Sequence, residues 1–132
     1  MASYDVALYT SITGLKSSNS ALKVWISVGG WDAGGEVWSN MVSTSANRAA
    51  FIASAIKFMA TYAFDGMDID WVRAVLLLFL LHSYSDGANP VQEYPVASDR
   101  GGNAADFANY VTFLEELRAA TGTKYGRGCL HT

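Results

Sequence analysis

The chain has 132 residues, which suits a single domain, and its net charge of −3 argues against a nucleic-acid-binding surface. Hydrophobic residues make up 51% of the chain and charged residues 16%, which excludes a disordered polar polypeptide. The one cysteine, Cys129, excludes an internal disulfide framework, and the longest apolar run, residues 74–81, is too short to span a bilayer.

The first half of the chain predicts a strand followed by a helix. Residues 1–21 are predicted as a loop or a weak helix, and residues 22–28 form a β-branched and aromatic run that a glycine pair closes. Residues 31–44 are predicted as a loop. Apolar side chains at helical spacing then predict a helix over residues 45–62, with Ser45 as its N-cap.

The second half predicts another strand and another helix. Residues 64–71 form the strand, and a helix from residue 103 or 104 to residue 120 follows, with Gly122 as its C-cap. Strands separated by helices of this length predict an α/β fold with a parallel sheet.

The most informative segment is the acidic strand over residues 65–71. Because strand side chains alternate, Asp68 and Asp70 share one face while Met67, Ile69 and Trp71 share the other. Two aligned carboxylates are costly to bury unpaired, so the acidic face is expected to meet water or a reactive site. Taken alone, the pair is compatible with solvated surface carboxylates, a metal site or an acid–base site.

The strand before it adds a second signature. Ser27, Gly29 and Gly30 form a Ser-x-Gly-Gly strand end, one helix ahead of the Asp-Gly-x-Asp-x-Asp strand. This pair of segments, in this order, resembles the two signature segments of family-18 glycoside hydrolases, the chitinases, and is most similar to the fungal-type secreted enzymes. The resemblance covers residues 4–71 and 93–125.

The resemblance implies a fold and a reaction. The fold would be a fragment of a (β/α)8 TIM barrel, covering about two βα units around its third and fourth strands. The reaction would be retaining, substrate-assisted hydrolysis of β-1,4-linked N-acetylglucosamine polymers, with no cofactor and no metal. Asp70 would orient the substrate's acetamido group, and Asp68 would pair with Asp70 and share its proton.

The general acid of the family is missing from its expected position. It should stand two residues after Asp70, where this chain has Val72, which has no proton to give. Glu93 and Tyr94 appear 21 and 22 positions later, and removing residues 72–92 would restore the family's Asp-Trp-Glu-Tyr-Pro run. This gap favours a retained intron of 63 nucleotides: any Val72 codon begins with the GT of a donor site, and Gln92 can be encoded CAG. The alternative is a genuine insertion whose loop returns Glu93 to the site.

The remaining motif residues are given roles by the same resemblance. Asp65, Gly66, Ser27, Gly29 and Gly30 are predicted to be structural. Two aromatic side chains are predicted substrate contacts: Tyr94, and Trp31, which either stacks on a sugar or packs at the rim. Three other aromatics, Trp25, Phe64 and Trp71, are predicted to lie in the core. The tail over residues 127–132 does not resemble the family's next strand and is doubtful.

These observations predict that residues 1–132 form part of the catalytic domain of a chitinase. The chain as written is itself predicted to be inactive. The chain is too short for a whole barrel, which takes roughly 200 residues or more. Its expected partner is chitin or a chito-oligosaccharide, with no nucleic acid and no membrane, in a monomeric protein. The family implies an extracellular location, although the N-terminus carries no signal sequence. The alternatives are a chitinase-like lectin without catalysis and a mis-spliced polypeptide that does not fold.

Overall fold

A computed structural model describes residues 5–71, 101–122 and 130–131 of the chain. Its helices and strands are α1 (Asp5–Gly14), β1 (Trp25–Gly29), α2 (Gly35–Ser43), α3 (Ser45–Tyr62), β2 (Gly66–Asp70), α4 (Asp106–Thr121) and β3 (Leu130–His131). Short 3-10 turns over residues 15–17 and 31–33 lie at the end of α1 and after β1.

The three strands form one parallel sheet in the order β1-β2-β3. Ser27 pairs with Asp68 and Gly29 with Asp70, so the carboxyl ends of β1 and β2 finish at the same height. The chain passes from β1 to β2 through α2 and α3. The parallel pairing confirms the prediction of an α/β fold.

The buried side chains lie between the sheet and the helices. Met67, Ile69 and Trp71 are each less than 5% exposed, whereas Asp68 and Asp70 on the other face are partly exposed. The rest of the core comes from the strand ends and the helices: Val24, Trp38, Val42, Ile52, Ala55, Met59, Phe64, Tyr110, Phe113 and Leu117. The predicted alternation of β2 is therefore confirmed, as is the burial of Phe64 and Trp71. Trp25 is only partly buried, because it shares the outward face of β1 with Ser27.

One helix was missed, and another was predicted only as one of two alternatives. Residues 35–43, predicted as loop, form α2, whose Trp38 and Val42 lie one turn apart and are both buried. The glycines at its start indicated a loop, although the spacing of four between Trp38 and Val42 is helical. Residues 5–14, predicted as loop or weak helix, form the regular helix α1, which the contacts of Tyr9 with Phe58 and Phe64 hold against α3 and the sheet.

In the tail, Leu130–His131 pairs with residues 67–68 of β2 as β3, while the doubtful origin of residues 127–132 stays a prediction. This pairing satisfies backbone groups on the second edge of β2 that would otherwise be open. A strand of two residues carries no alternation that a sequence could display.

The ends of α3 follow capping chemistry. Its N-cap is Thr44 rather than the predicted Ser45, and the Thr44 hydroxyl accepts a hydrogen bond from the Asn47 N–H at 3.1 Å. Its C-cap is Ala63, whose φ of 59° lies in the left-handed region that favours glycine. The predicted C-cap of α4, Gly122, is confirmed, with its N–H donating to the carbonyl of Arg118.

Replacing Ala63 with glycine should stabilise the chain, because glycine adopts this backbone conformation without the Cβ penalty of about 1 kcal/mol. A matched control is Ala60→Gly, at an exposed position inside the same helix, which should lose about 1 kcal/mol. Urea unfolding of both variants measures the difference. A lower midpoint for Ala63→Gly than for the parent chain would contradict the assignment of Ala63 as the cap.

An ion pair ties α3 to α4. The largely buried Arg48 donates from Nε and Nη2 to the two carboxylate oxygens of Glu116, at 2.8 and 2.9 Å, and from Nη1 to the carbonyl of Val42. The hydrogen bond from Arg48 lowers the pKa of Glu116 and raises that of Arg48 itself.

No helix in the described ranges is long and apolar enough to cross a membrane.

Candidate active site

The polar face of the sheet carries the predicted catalytic carboxylates. Asp68 and Asp70 point away from the helix layer, two residues apart on β2, and Asp70 is the last residue of the strand. The hydroxyl of Ser27, directly opposite on β1, donates to Oδ2 of Asp68 at 2.8 Å. The structure thus brings together the Ser-x-Gly-Gly segment and the acidic strand that the sequence separates by about 40 residues.

The glycine pair allows the two strand ends to approach closely. A Cβ on Gly29, whose φ is 123°, would lie 2.6 Å from the carbonyl oxygen of Asp70. The N–H of Gly30 donates to that same oxygen at 3.1 Å, and a Cβ on Gly30 would lie 3.8 Å from Asp70 Oδ2. These contacts fix the backbone of Asp70, and any side chain larger than hydrogen at Gly29 would displace it.

Asp65 lies at the opposite end of β2 from Asp70. Its Oδ2 accepts hydrogen bonds from Lys16 Nζ and from the Val24 N–H, both at 2.9 Å, and Lys23 Nζ lies 3.6 Å from Oδ1. Burial alone would raise the pKa of Asp65, but the hydrogen bonds from Lys16 and Val24 and the charges of the two lysines together lower it. Gly66, the next residue, is buried and pairs with Trp25.

Asp65→Asn should lower the free energy of unfolding at neutral pH by about 1–3 kcal/mol, because charge-assisted hydrogen bonds are lost. Since the pKa of Asp65 is lower in the folded chain than its ordinary value of 3.8, the carboxylate stabilises the fold above that value. The stabilisation is lost as the pH falls through the folded-state pKa. Urea unfolding of parent and variant from neutral pH down to acid should therefore give curves that converge below about pH 4. A gap that persists in acid would contradict this role of the charge.

Aromatic side chains support the site from the helix side. Trp71, directly after Asp70, stacks on Trp38 with ring centroids 5.9 Å apart and planes 14° apart, and its other neighbour is Tyr110, edge to face at 5.5 Å. Burial, and secondarily the charge of Asp68, raises the pKa of Tyr110, so its hydroxyl stays neutral. Within the described ranges, neither the Trp71 indole N–H nor the Tyr110 hydroxyl has a hydrogen-bond partner.

Two contributors to this site were not predicted from the sequence. Trp38 lies in a segment predicted as loop, and the polar group of Ser39, Asn103 and Asp106, described below, joins positions that are 64 and 67 residues apart. A signal for Trp38 existed in its spacing of four from Val42. No local pattern marks a polar contact between two separate helices.

Three predicted site positions lie partly or wholly outside the described residues. Glu93 and Tyr94, together with the suspected insertion over residues 72–92, fall between the described ranges, and of Trp31 only the backbone, in a 3-10 turn, is described. Among the residues that the structure describes, no group of three or more acidic, His or Cys side chains could hold a metal ion.

Comparison with known proteins decides the family. The sequence pattern of glycosyl hydrolases family 18 matches residues 1–129, nearly the whole chain. The chain belongs to that family. The family-18 resemblance is thereby confirmed, while the narrower assignment to the fungal-type enzymes stays a prediction.

Curated family-18 relatives come from several animals. The chain is 34% identical over 112 residues to an endochitinase of Manduca sexta and 35% identical over 119 residues to a probable endochitinase of Caenorhabditis elegans. These matches cover 85% and 90% of this chain but only 16% and 15% of the relatives. The chain therefore spans about a sixth of the length of the curated relatives that it matches.

Solved structures of family-18 enzymes share the fold. An immunomodulatory active chitinase from Trichuris suis has a TM-score of 0.63 at 32% identity, over 90% of this chain and 25% of that one. Two Ostrinia furnacalis chitinases, of Group IV with allosamidin and of Group II with the chito-oligosaccharide (NAG)5, have TM-scores of 0.61 and 0.63 at 27% and 28% identity. Each match covers 86% of this chain and 25% of the solved one. The prediction of a partial α/β barrel is confirmed.

Proposed function

We propose that this chain carries the acidic strand of a chitinase that hydrolyses β-1,4-linked N-acetylglucosamine polymers with retention of configuration. The observation that carries the proposal is the pair Asp68 and Asp70 at the carboxyl end of β2, joined to Ser27 on β1, in a family-18 chain. The carboxyl ends of parallel barrel strands are where such folds hold their catalytic groups.

The geometry supports different roles for the two carboxylates. Asp68 accepts a hydrogen bond from the Ser27 hydroxyl on β1, whereas Asp70 is the last residue of β2. Asp70 is therefore proposed to orient the substrate's acetamido oxygen for attack on the anomeric carbon and to stabilise the cyclic cation that forms. Asp68 is proposed to pair with Asp70 and to share its proton. This is the substrate-assisted exception to the two-carboxylate scheme.

The proton for the leaving oxygen is proposed to come from Glu93, once residues 72–92 are absent. Glu93 would then follow Asp70 by two residues and share its face of the strand. Tyr94 and Trp31 are proposed substrate contacts at the rim. The substrate is chitin or a chito-oligosaccharide, as the (NAG)5 complex of the Ostrinia enzyme suggests by analogy, and the complete protein is proposed to be extracellular, monomeric and free of cofactors.

One observation favours a second function for the chain as written. Val72 stands at the acid position, so a groove that retains Asp70 could bind a chito-oligosaccharide without cleaving it. Such a lectin should bind chitotetraose without releasing product. A cooperative circular dichroism melt of residues 1–132 would separate either folded protein from a polypeptide that does not fold.

The proposed hydrolysis can be tested in a chimera. Residues 22–71 joined to 93–122 replace the matching segment of the Manduca sexta endochitinase, and release of a fluorophore from a chito-oligosaccharide is measured. We expect hydrolysis, and a loss of roughly 100-fold or more in kcat for Asp70→Ala in that chimera. The control is Asp32→Ala, an exposed carboxylate in the turn after β1. A folded chimera without activity, or one indifferent to Asp70→Ala, would overturn the proposal.

A further inference from the structure

A polar network of two buried residues, Ser39 and Asp106, and the exposed Asn103 lies between α2 and the start of α4. The carboxylate of Asp106, which is fully buried, accepts the Ser39 hydroxyl at 2.9 Å on Oδ1 and the Asn103 N–H at 2.8 Å on Oδ2. The Asn103 side-chain amide in turn donates to the Ser39 oxygen at 2.7 Å, and its carbonyl oxygen accepts the Ala105 N–H. Every member is therefore satisfied by another member or by the adjoining backbone.

Joining two helices through a buried carboxylate carries an unfavourable free energy of desolvation. None of the ion pairs among the described residues includes Asp106, so its charge is balanced by hydrogen bonds and by its position at the first residue of α4. An apolar pair of similar volume would hold the helices together without that cost. What the network adds is a directional contact that fixes α2 in height and rotation against the loop before α4.

The backbone of the loop reinforces this contact. Gly101, with a φ of 83°, lies against the first turn of α2, where its Cβ would stand 2.8 Å from Cβ of Glu36. The segment that leads into α4 is therefore seated on α2 at two places, at Glu36 and at Ser39. Both places lie near the carboxyl end of β1, because α2 begins after the short turn that follows β1 and the ring of Trp38, the residue before Ser39, lies beside Gly29.

Helix α2, which this loop contacts, also carries Trp38, a side chain that packs against the ends of β1 and β2. Trp38, next to Ser39, is 4% exposed, and its ring lies 3.0 Å from where a Cβ on Gly29 would stand. The same ring stacks on Trp71, the residue that follows Asp70. Trp38 thus touches both strand ends at the point where the backbone of Asp70 is held.

We propose that Asp106 is a positioning residue for Asp70, acting through Ser39 and Trp38, so that the loop before α4 sets the geometry of the acidic strand end. The inference rests on the proposed function, since Asp70 needs a fixed position only if it acts on substrate. It assigns no new catalytic group. It makes the contact between α2 and α4 part of the site, because catalytic constellations depend on the groups that hold them.

The test uses residues 1–132 and reads the site without an activity assay. Ser39→Ala removes the hydroxyl from the network, Ser39→Thr keeps it, and Asp106→Asn removes the charge. Two signals are recorded: the exciton circular dichroism of the Trp38–Trp71 stack, and hydrogen exchange of the Gly30 amide, which donates to the Asp70 carbonyl. The control is Glu116→Gln, which weakens the ion pair between α3 and α4 and leaves Ser39, Asn103 and Asp106 unchanged.

We expect Ser39→Ala and Asp106→Asn to weaken the exciton signal and to speed exchange of Gly30 roughly tenfold or more, and Ser39→Thr to restore both. Glu116→Gln, at denaturant concentrations that match global stability, should leave both signals as in the parent. Equal changes in Glu116→Gln, no change in Ser39→Ala, or a parent chain with no native amide protection would each overturn the inference. Failure of the proposed function would appear elsewhere, as an inactive chimera whose Trp38–Trp71 signal is intact.

Discussion

Replacing Gly29 with alanine should be strongly destabilising, with a loss of about 3 kcal/mol or more in the free energy of unfolding. Two penalties act together there. The φ of 123° disfavours any side chain, and the added Cβ would stand 2.6 Å from a backbone oxygen, which cannot rotate away. The strands must separate, and Asp70 moves with them.

Alanine substitutions at two other glycines distinguish the backbone penalty from the steric penalty. Gly34 also has a positive φ, 70°, but no atom lies within 4 Å of where its Cβ would be, so Gly34→Ala should show the backbone penalty alone, about 1–3 kcal/mol. Gly14, in a helical conformation with open space around it, should tolerate alanine or gain up to about 1 kcal/mol. Urea unfolding of the three variants measures the series. A Gly29→Ala chain as stable as Gly34→Ala would mean that the close approach to Asp70 is not present in solution.

The same strand end shows how far sequence alone reaches. The two faces of β2 were predictable because the alternation of side chains along a strand depends only on local backbone geometry. Asp68 and Asp70 therefore lie on the opposite face of β2 from Met67 and Ile69. The parallel pairing of β1 with β2 was predictable because strands that alternate with helices are typical of a parallel sheet. Their register, which places Ser27 beside Asp68, became visible only in the structure.

What the sequence did not reveal depends on contacts between distant segments. Helix α2 exists because Trp38 and Val42 find a core, and tertiary packing of this kind outweighs weak local propensity. The partners of Asp106 are 67 and three residues away, so its burial could not be inferred from its own neighbourhood, where it resembles an ordinary acidic residue in a first helical turn. The β3 pairing is likewise set by the free edge of β2 rather than by the residues 130–131 themselves.

Deleting residues 72–92 should produce the largest gain in function. In the chimera with the Manduca sexta endochitinase, the form that keeps these residues should hydrolyse a fluorogenic chito-oligosaccharide about 100- to 10,000-fold more slowly than the form that lacks them. The reason is that valine at position 72 cannot protonate the leaving oxygen, whereas Glu93 in its place can. In the gene, the same change should appear as a mature transcript in which the codons for Trp71 and Glu93 are adjacent.

The longer chimera could be slow for two reasons: the general acid is absent, or residues 72–92 disturb the structure. Two variants distinguish these causes. Glu93→Gln in the shorter chimera keeps the shape of the side chain and removes its proton, so it should fall to the rate of the longer form. Val72→Glu in the longer chimera places a carboxyl two residues after Asp70 while the added segment remains, and any rate it recovers measures the acid alone. If the unaltered longer form is as fast as the shorter one, the 21 residues are a genuine insertion that returns Glu93 to the site, because loop closure becomes only slowly more costly with length.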